Sequence, residues 1–454
     1  MNLSGVDRIH FIGIGGVGMS AIAKVLVEQG RVVAGSDMKR SRAFTTLEAM
    51  GADLRIGHDG SAVEGADLVV VSSAIPETNP ELVAARARGL PVISRGEALA
   101  AILEGSKPIV VAGTHGKTTT TSMIVSIMQR AGAEPTYLVG GGLNDAGTNA
   151  RYGQGEYSVA ESDESDGSFL LLSPYVGVVT NVEADHLDYW HTFDAIKEAF
   201  ERFIGATDPA GTCVLPASEE GLRGNAQARV ITFGSGGDVS ASNAEAASQA
   251  TSFDMSIPGG DTRRVELRVP GAHNVENALA AAAAGLAAGI EMDMIVEGLK
   301  AYRGVERRFQ VKGEARGVTV IDDYAHHPTE VRSTLSAARS GSWGRILAVF
   351  QPHRYSRTAL FATEFGSSFA DADVVVITDV YGAGEEPVPG VTGKLVADAV
   401  CSRFPGRAVA YLPHRDELIG YLTRTIRSGD ALLTLGAGDV TSVGEELLTR
   451  LDSV

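Results

Sequence analysis

At 454 residues the chain is long enough for several buried cores and, at about 150 residues per domain, for about three domains. Its net charge of −17 argues against binding to nucleic acid or to an anionic membrane surface, since both need a basic face. Cys213 and Cys401 are isolated and lack metal-ligand spacing, so both are expected to be reduced, buried thiols. The amino-terminal run MNLSGVDRIHFIGIGG is broken by glycines too early for a signal peptide, and the Ala-rich stretch Ala278–Ile290 is too short to span a bilayer. A soluble, cytoplasmic protein is expected.

Strand-like and helical runs alternate almost throughout, the pattern of α/β layers built on mainly parallel sheets with flanking helices. Three domains are expected, at 1–105, 106–312 and 313–454. The joints are placed at Glu104–Lys107 and Gln310–Gly317, where charge and glycine interrupt the pattern. The first block has strands at Arg8–Ile14, Val32–Gly35, Asp67–Ser72 and Pro91–Ile93. Its turn Gly13-Ile-Gly15-Gly16-Val-Gly18 follows a strand and opens a helix, and a second strand ends at Asp37. That is the dinucleotide fingerprint of a Rossmann-like domain, with an acid roughly 20 residues on for a ribose hydroxyl. The glycines admit a diphosphate without saying what it carries; both a nicotinamide cofactor and a UDP-sugar present one.

The middle block opens on the strand Pro108–Ala112, the turn Gly113-Thr114-His115-Gly116-Lys117-Thr118 and the helical run Lys117–Ala131. Backbone N–H groups at a helix N-terminus form a phosphate cradle. Lys117 can reach the outer phosphates and the Thr118 hydroxyl can ligate Mg²⁺. The common P-loop would place its first glycine at Val111, so this turn is a shortened one. Glu161 ends the strand Tyr157–Glu161 and opens the acidic segment ESDESDGSF. A carboxylate beside the phosphate turn suits Mg²⁺, which prefers hard oxygen ligands; Asp163, Glu164 and Asp166 are weaker candidates. After the strand Val176–Asn181 comes a second cluster, Glu183, Asp185, His186 and Asp188. There His186 can hold a second Mg²⁺ or orient a proton transfer. Gly234–Gly260 reads as loops and weak strands. Asn274 and Asn277 open an Ala-rich helix, where Asn274 serves equally well as an N-cap or as a partner for adenine.

The third block has strands at Val318–Asp322, Ile346–Gln351, Val374–Asp379 and Ala431–Leu435. Asp322-Asp323-Tyr-Ala-His326-His327-Pro-Thr-Glu follows the first of these, and Gln-Pro-His353-Arg354-Tyr-Ser-Arg357-Thr the second. Open α/β sheets bind ligands at such strand ends.

The Gly-x-x-Gly-Lys-Thr turn resembles that of the Mur ligases and their folylpolyglutamate synthase relatives, and GlyMetSer after the first glycine turn, NxExDH, HNxxN, DDYxHHPTE and QPHRYSRT extend the resemblance over nearly the whole chain. Ala21 and Ala325 stand where glycine is commoner in the family, and Ala272 where an arginine is often found. The resemblance implies a P-loop-type central ATPase between two Rossmann-like domains, and ATP-dependent amide formation. The product implied is L-alanine joined to the lactyl carboxylate of UDP-N-acetylmuramate, through an acyl phosphate, in cell-wall peptidoglycan synthesis. It implies a UDP-sugar site of Gly13, Gly15, Gly16, Gly18, Asp37 and Ser72. The implied ATP site comprises Gly113, Thr114, His115, Gly116, Lys117, Thr118, Thr119, Asn274, Asn277, Arg308 and Asp323. Metal ligands are Thr118, Glu161 and His186, and the catalytic set is Lys117, Glu161, His186 and Arg308. His326, His327, Arg354 and Arg357 are assigned to the amino acid or the sugar's carboxylate. ATP is expected between the second and third blocks, whose closure excludes water. The alternatives carried are a tripeptide-adding recycling ligase, and, from another class, a nicotinamide dehydrogenase. Monomer and homodimer are both left open.

Overall fold

A computed structural model describes residues 3, 5–144 and 147–452, apart from the side chain of Asp188. The chain divides into two compact units. The first comprises 1–241, 255–263 and 277–302, and the second comprises 242–254, 264–276 and 303–454.

The first unit holds two sheets. Strands β1 (Arg8–Ile12), β2 (Val32–Asp37), β3 (Asp53–Ile56), β4 (Leu68–Val71) and β5 (Val92–Ser94) form a parallel sheet in the order β3-β2-β1-β4-β5. The chain moves outward from β1 on one side and then crosses to β4 on the other, so the crevice of a doubly wound sheet opens at the carboxyl ends of these two strands. The glycine turn follows β1 and Ser72 follows β4. Strand β1 stops at Ile12, two residues short of the sequence expectation, because Ser36 O takes the N–H groups of both Gly13 and Ile14 and bends the chain into the turn.

The second sheet contains β6 (Lys107–Ala112), β7 (Thr136–Leu138), β8 (Ala150–Arg151), β9 (Tyr157–Glu161), β10 (Val176–Val179), β11 (Thr212–Pro216) and β12 (Arg229–Phe233). They lie in the order β12-β11-β10-β6-β9-β7-β8. Only β8 is antiparallel to its neighbour. The centre of the sheet is apolar: Ile109, Val110, Val111, Val159, Val176 and Val178 are all buried. β6 carries the phosphate turn at its end and has β9 and β10 as neighbours, so the acids after β9 and the segment after β10 must both emerge beside that turn.

Strands β13 (Ser240–Ala247), β14 (Ala250–Ser256) and β15 (Thr262–Leu267) make a small sheet where the sequence suggested weak strands. The second unit's main sheet has β16 (Gln310–Ala315), β17 (Val318–Asp323), β18 (Arg345–Phe350), β19 (Val374–Ile377), β20 (Ala408–Tyr411) and β21 (Asp430–Leu435), in the order β16-β17-β21-β18-β19-β20. Here one expectation fails. Gln310–Gly317 is not an interrupted joint: Gln310–Ala315 pairs antiparallel with β17, turning at Arg316 and Gly317, both with positive φ. Its polar, glycine-broken pattern suits an edge strand, which needs no continuous apolar face. The cysteine expectation also half fails, since Cys213 is buried but Cys401 is exposed on a helix surface. Among the described residues no helix is long and apolar enough to cross a membrane.

Aromatic packing fixes the acidic segment. Phe169, in the short turn Ser168–Leu171, meets Phe200 and Phe203 of the helix Phe193–Gly205 at ring distances of 5.3 and 5.5 Å, and Trp190 at 6.3 Å. Phe200→Ala is expected to lower stability by about 3–5 kcal/mol through the cavity it leaves, measured as a shift of the urea midpoint at unchanged slope.

Candidate active site

The phosphate turn is held by its neighbours rather than by itself. Gly113 and Gly116 have φ of +139° and +79°; a Cβ at the first would lie 2.0 Å from Thr180 Oγ1, and at the second 2.3 Å from Asn277 Oδ1. Both positions therefore demand glycine twice, for conformation and for space. Asn181 brackets His115, accepting its N–H at 2.8 Å and donating to its C=O at 3.0 Å, while Thr114 Oγ1 accepts from Glu183 N–H. Asn181 and Glu183 are thus tied to the turn by backbone as well as side-chain bonds, a role that a count of possible ligands does not suggest.

The helix Lys117–Arg130 starts on four threonines, which are poor helix formers. All four are buried; two bond to other segments and a third back along its own helix. Thr118 Oγ1 donates to Glu161 Oε1 at 2.8 Å, Thr120 Oγ1 to Asn277 Oδ1 at 3.3 Å, and Thr121 Oγ1 to Lys117 O at 2.8 Å. Tertiary contacts override propensity here. Glu161 also accepts from Gly140 N–H at 2.6 Å. A hydroxyl and a carboxylate oxygen side by side at a phosphate turn are a hard donor set that fits Mg²⁺.

Lys117 is buried, and its ammonium donates to Gly113 O at 2.7 Å and Thr114 O at 3.2 Å and pairs with Glu164 at 2.7 Å. Burial alone would favour the neutral amine, but Glu164, Asp163 and Glu161 outweigh it and raise the Lys117 pKa. Burial pushes Glu164 up to about 7, with Lys117 opposing and Asp163 adding to the rise. His186 Nε2 lies 3.6 Å from both Glu164 Oε1 and Asp185 Oδ2, and its φ of +53° places it at the start of the short helix Leu187–Trp190. Glu164, only a weak candidate from the sequence, is the carboxylate that joins Lys117 to His186. Arg95 was missed altogether. Its Nη2 reaches Asp163 at 3.4 Å and Asp166 at 3.2 Å, and its Nη1 lies 3.0 Å from where a Cβ on Gly18 would sit. A side chain at position 18 would press on this arginine, which connects the first glycine turn to the acidic segment. In that turn Asp37 Oδ2 accepts from Gly15 N–H at 2.8 Å, which ties the expected ribose ligand to the turn itself.

In the second unit the adjacent arginines separate in role. Arg307 is locked, donating to Asp322 at 3.1 Å and to the carbonyls of Gly436, Ala437 and Gly438. Arg308 lies 3.7 Å from Glu330, with its guanidinium 5.3 Å from the Tyr324 ring centre. Asp323 is buried and accepts from the N–H groups of Phe309 and Ala325; burial raises it to about 6, against the pull of Arg308. His326 and His327 both present backbone N–H groups to Glu330, and His327 caps the helix Pro328–Arg339. The His326 ring meets His353 at 5.5 Å, and His353 stacks on Tyr381 at 5.8 Å. Arg354 and Arg357 follow on the same strand-to-helix turn. Asn274 donates to Pro270 O at 2.7 Å, whereas Asn277, on the same helix Ala272–Ala287, faces the phosphate turn.

Three models of one family match most of the chain in order. The Mur ligase family catalytic domain covers residues 8–107, the Mur ligase middle domain 111–285 and the Mur ligase glutamate ligase domain 307–438. The chain belongs to the Mur ligase family. As a Mur ligase it is an ATP-dependent ligase, and the dehydrogenase reading of the first glycine turn is set aside. It is 47% identical over 452 residues to the UDP-N-acetylmuramate–L-alanine ligase of Geobacter sp. (strain M21), with 98% of each chain covered. The solved UDP-N-acetylmuramate–alanine ligase of Thermotoga maritima is 31% identical, with a TM-score of 0.84 over 98% of this chain and 99% of that one. A murein peptide ligase from Psychrobacter arcticus is more distant, at 26% identity and a TM-score of 0.74 over 99% of both chains.

Two histidines of this Mur ligase set a pH dependence. Burial, reinforced by Arg308, lowers His273 to about 4, and burial, reinforced by His326, Arg357, Arg354 and Arg307, lowers His353 to about 3. Each folded-state value lies below the ordinary 6.5, so this stability is fully present above pH 6.5 and is lost progressively as pH falls from 6.5 to the folded values. Between pH 7.5 and pH 5, His353→Gln should lose about 2 kcal/mol less stability than the unsubstituted protein, read from urea midpoints at the two pH values.

Proposed function

We propose that this chain joins L-alanine to the lactyl carboxylate of UDP-N-acetylmuramate with cleavage of ATP to ADP and phosphate; its relatives are named UDP-N-acetylmuramate–L-alanine ligases. The observation that carries the chemistry is the cluster around the phosphate turn: a buried ammonium, a hydroxyl–carboxylate pair and a histidine, all within one sheet's carboxyl edge. Among the solved structures that cover nearly the whole chain, the likeness is greater to the alanine ligase, at 31% identity and a TM-score of 0.84, than to the murein peptide ligase, at 26% and 0.74, which favours alanine over a preformed peptide as the added group.

In this reading residues 1–105 bind the UDP-sugar, 106–312 bind ATP, and 313–454 bring the amino acid. Gly13, Gly15, Gly16, Gly18, Asp37 and Ser72 form the sugar-nucleotide site. The turn Gly113–Thr119 holds the phosphates of ATP, and Asn274, Asn277, Arg308 and Asp323 serve the rest of the nucleotide. Thr118, Glu161 and His186 would hold Mg²⁺, which when bound neutralises phosphate charge and polarises the transferring group. A carboxylate is a poor electrophile, so the γ-phosphoryl group passes to the lactyl carboxylate, giving an acyl phosphate and ADP. Positioning and charge neutralisation dominate such a transfer, and Lys117 and Arg308 supply cationic charge. The alanine amine then attacks the acyl carbon, phosphate leaves and the amine's extra proton is lost. His326, His327, Arg354 and Arg357 would hold the carboxylate groups of alanine or of the sugar. In this reading the reaction belongs to peptidoglycan synthesis and takes place in the cytoplasm.

Phosphate release from ATP and Mg²⁺ should require both UDP-N-acetylmuramate and L-alanine. Release with a tripeptide but not with alanine would identify the recycling reaction instead. Lys117→Ala should reduce turnover by at least about 1,000-fold while UDP-N-acetylmuramate still binds with nearly unchanged affinity, measured by calorimetry. Loss of both together would refute separate phosphate turns.

A further inference from the structure

Beneath the first glycine turn lies a buried polar cluster that the chemistry above does not use. Glu81 is fully buried near the start of the helix Pro80–Ala87. Its Oε2 accepts from His10 Nε2 at 2.8 Å and from the Ser36 hydroxyl at 2.7 Å. Its Oε1 accepts from Asp59 N–H and from His58 Nδ1, both at 3.2 Å. His58 Nδ1 also lies 3.0 Å from Ser36 Oγ. His10 comes from the middle of β1, Ser36 from the end of β2 and His58 from just beyond β3, so one carboxylate ties three neighbouring strands together.

A buried charge costs desolvation that its partners must offset, and well-packed apolar residues of similar volume often serve stability as well or better. What a carboxylate hub adds is direction. Ser36 is where that direction matters. Its carbonyl accepts the N–H groups of Gly13 at 2.9 Å and Ile14 at 3.0 Å, and the next residue, Asp37, takes the N–H of Gly15. The first three N–H groups of the glycine turn are thus all spent on the end of β2. The turn's shape follows from where Ser36 and Asp37 sit, and Glu81 holds Ser36 by its hydroxyl.

We propose that Glu81, with His10 and His58 as its partners, is a positioning residue for the sugar nucleotide: by fixing the end of β2 it holds the glycine turn in the shape that receives the diphosphate. This rests on the assignment of that turn to the UDP-sugar. Glu81 touches no substrate in this scheme and acts on the turn through Ser36.

The test compares Glu81→Gln, Ser36→Ala and the double variant, using UDP binding by calorimetry, steady-state KM for UDP-N-acetylmuramate and for ATP, and thermal unfolding. Glu81→Gln is expected to weaken UDP and raise the KM for UDP-N-acetylmuramate by about tenfold, with the KM for ATP within about twofold of the unsubstituted value. Ser36→Ala should act in the same direction more mildly, and the double variant should be no worse than Glu81→Gln, because both changes break one connection. Should Glu81→Gln fail to fold, Ser36→Ala carries the test alone. Unchanged UDP affinity with only a lower melting temperature would overturn the proposal, since that marks a purely structural hub. A parallel rise in both KM values would overturn it too. If the unsubstituted protein binds no UDP, the sugar-nucleotide site itself fails and the proposal falls with it, an outcome distinct from the others.

Discussion

The centre of this protein depends on keeping one positive charge inside it. An ammonium buried at Lys117 is tolerable only with full compensation, and the chain supplies it from two directions: carbonyls of its own turn, Gly113 and Thr114, and the carboxylate of Glu164. Glu164 is itself buried, so each charge justifies the other. That pairing draws the acidic segment after β9 against the turn after β6. With the segment in place, Glu161 meets Thr118, Glu164 approaches His186 from β10's side, and Arg95 reaches Asp163 and Asp166. The aromatic packing of Phe169 under the segment provides the apolar floor that keeps it there.

Sheet order makes that geometry available. Because β6 lies between β9 and β10, two segments far apart in sequence, around Glu161 and around His186, leave the sheet on either side of the phosphate turn. The same logic operates in the first sheet, where the crossover from β1 to β4 opens a crevice at the glycine turn, and in the second unit, where β17, β18 and β21 deliver Asp323, Arg354 and Gly436 to one edge. Parallel sheets gather chemistry at their carboxyl ends, so widely spaced motifs become neighbours without any of them being contiguous.

Much of this was legible beforehand. The glycine turns, the strand-ending acids and the His-rich segments follow local rules: a tight turn needs glycine, a phosphate needs N–H groups, and a hard cation needs oxygen. Where only a partner's position mattered, the sequence was silent. Arg95 looks like any helix-starting arginine until it is seen beside Asp163 and Asp166. Asn181 and Glu183 could be counted as ligands but not recognised as braces, and of the two arginines at 307 and 308 nothing local says which is locked to carbonyls. The edge strand Gln310–Ala315 was hidden for a related reason, since a strand paired on one side need not show the alternation of a buried one.

The sequence by itself determined the fold class and the chemical inventory, because strand and helix periodicity and phosphate-binding turns are encoded within a few consecutive residues. Only the tertiary structure decided which groups meet. Glu164 with Lys117, Thr118 with Glu161, and Glu81 with the end of β2 are pairings across tens of residues, and their energies depend on burial and on distances of a few ångströms. A charge or hydroxyl acquires its role when water is removed and a partner takes its place. That exchange happens only once the sheets have formed.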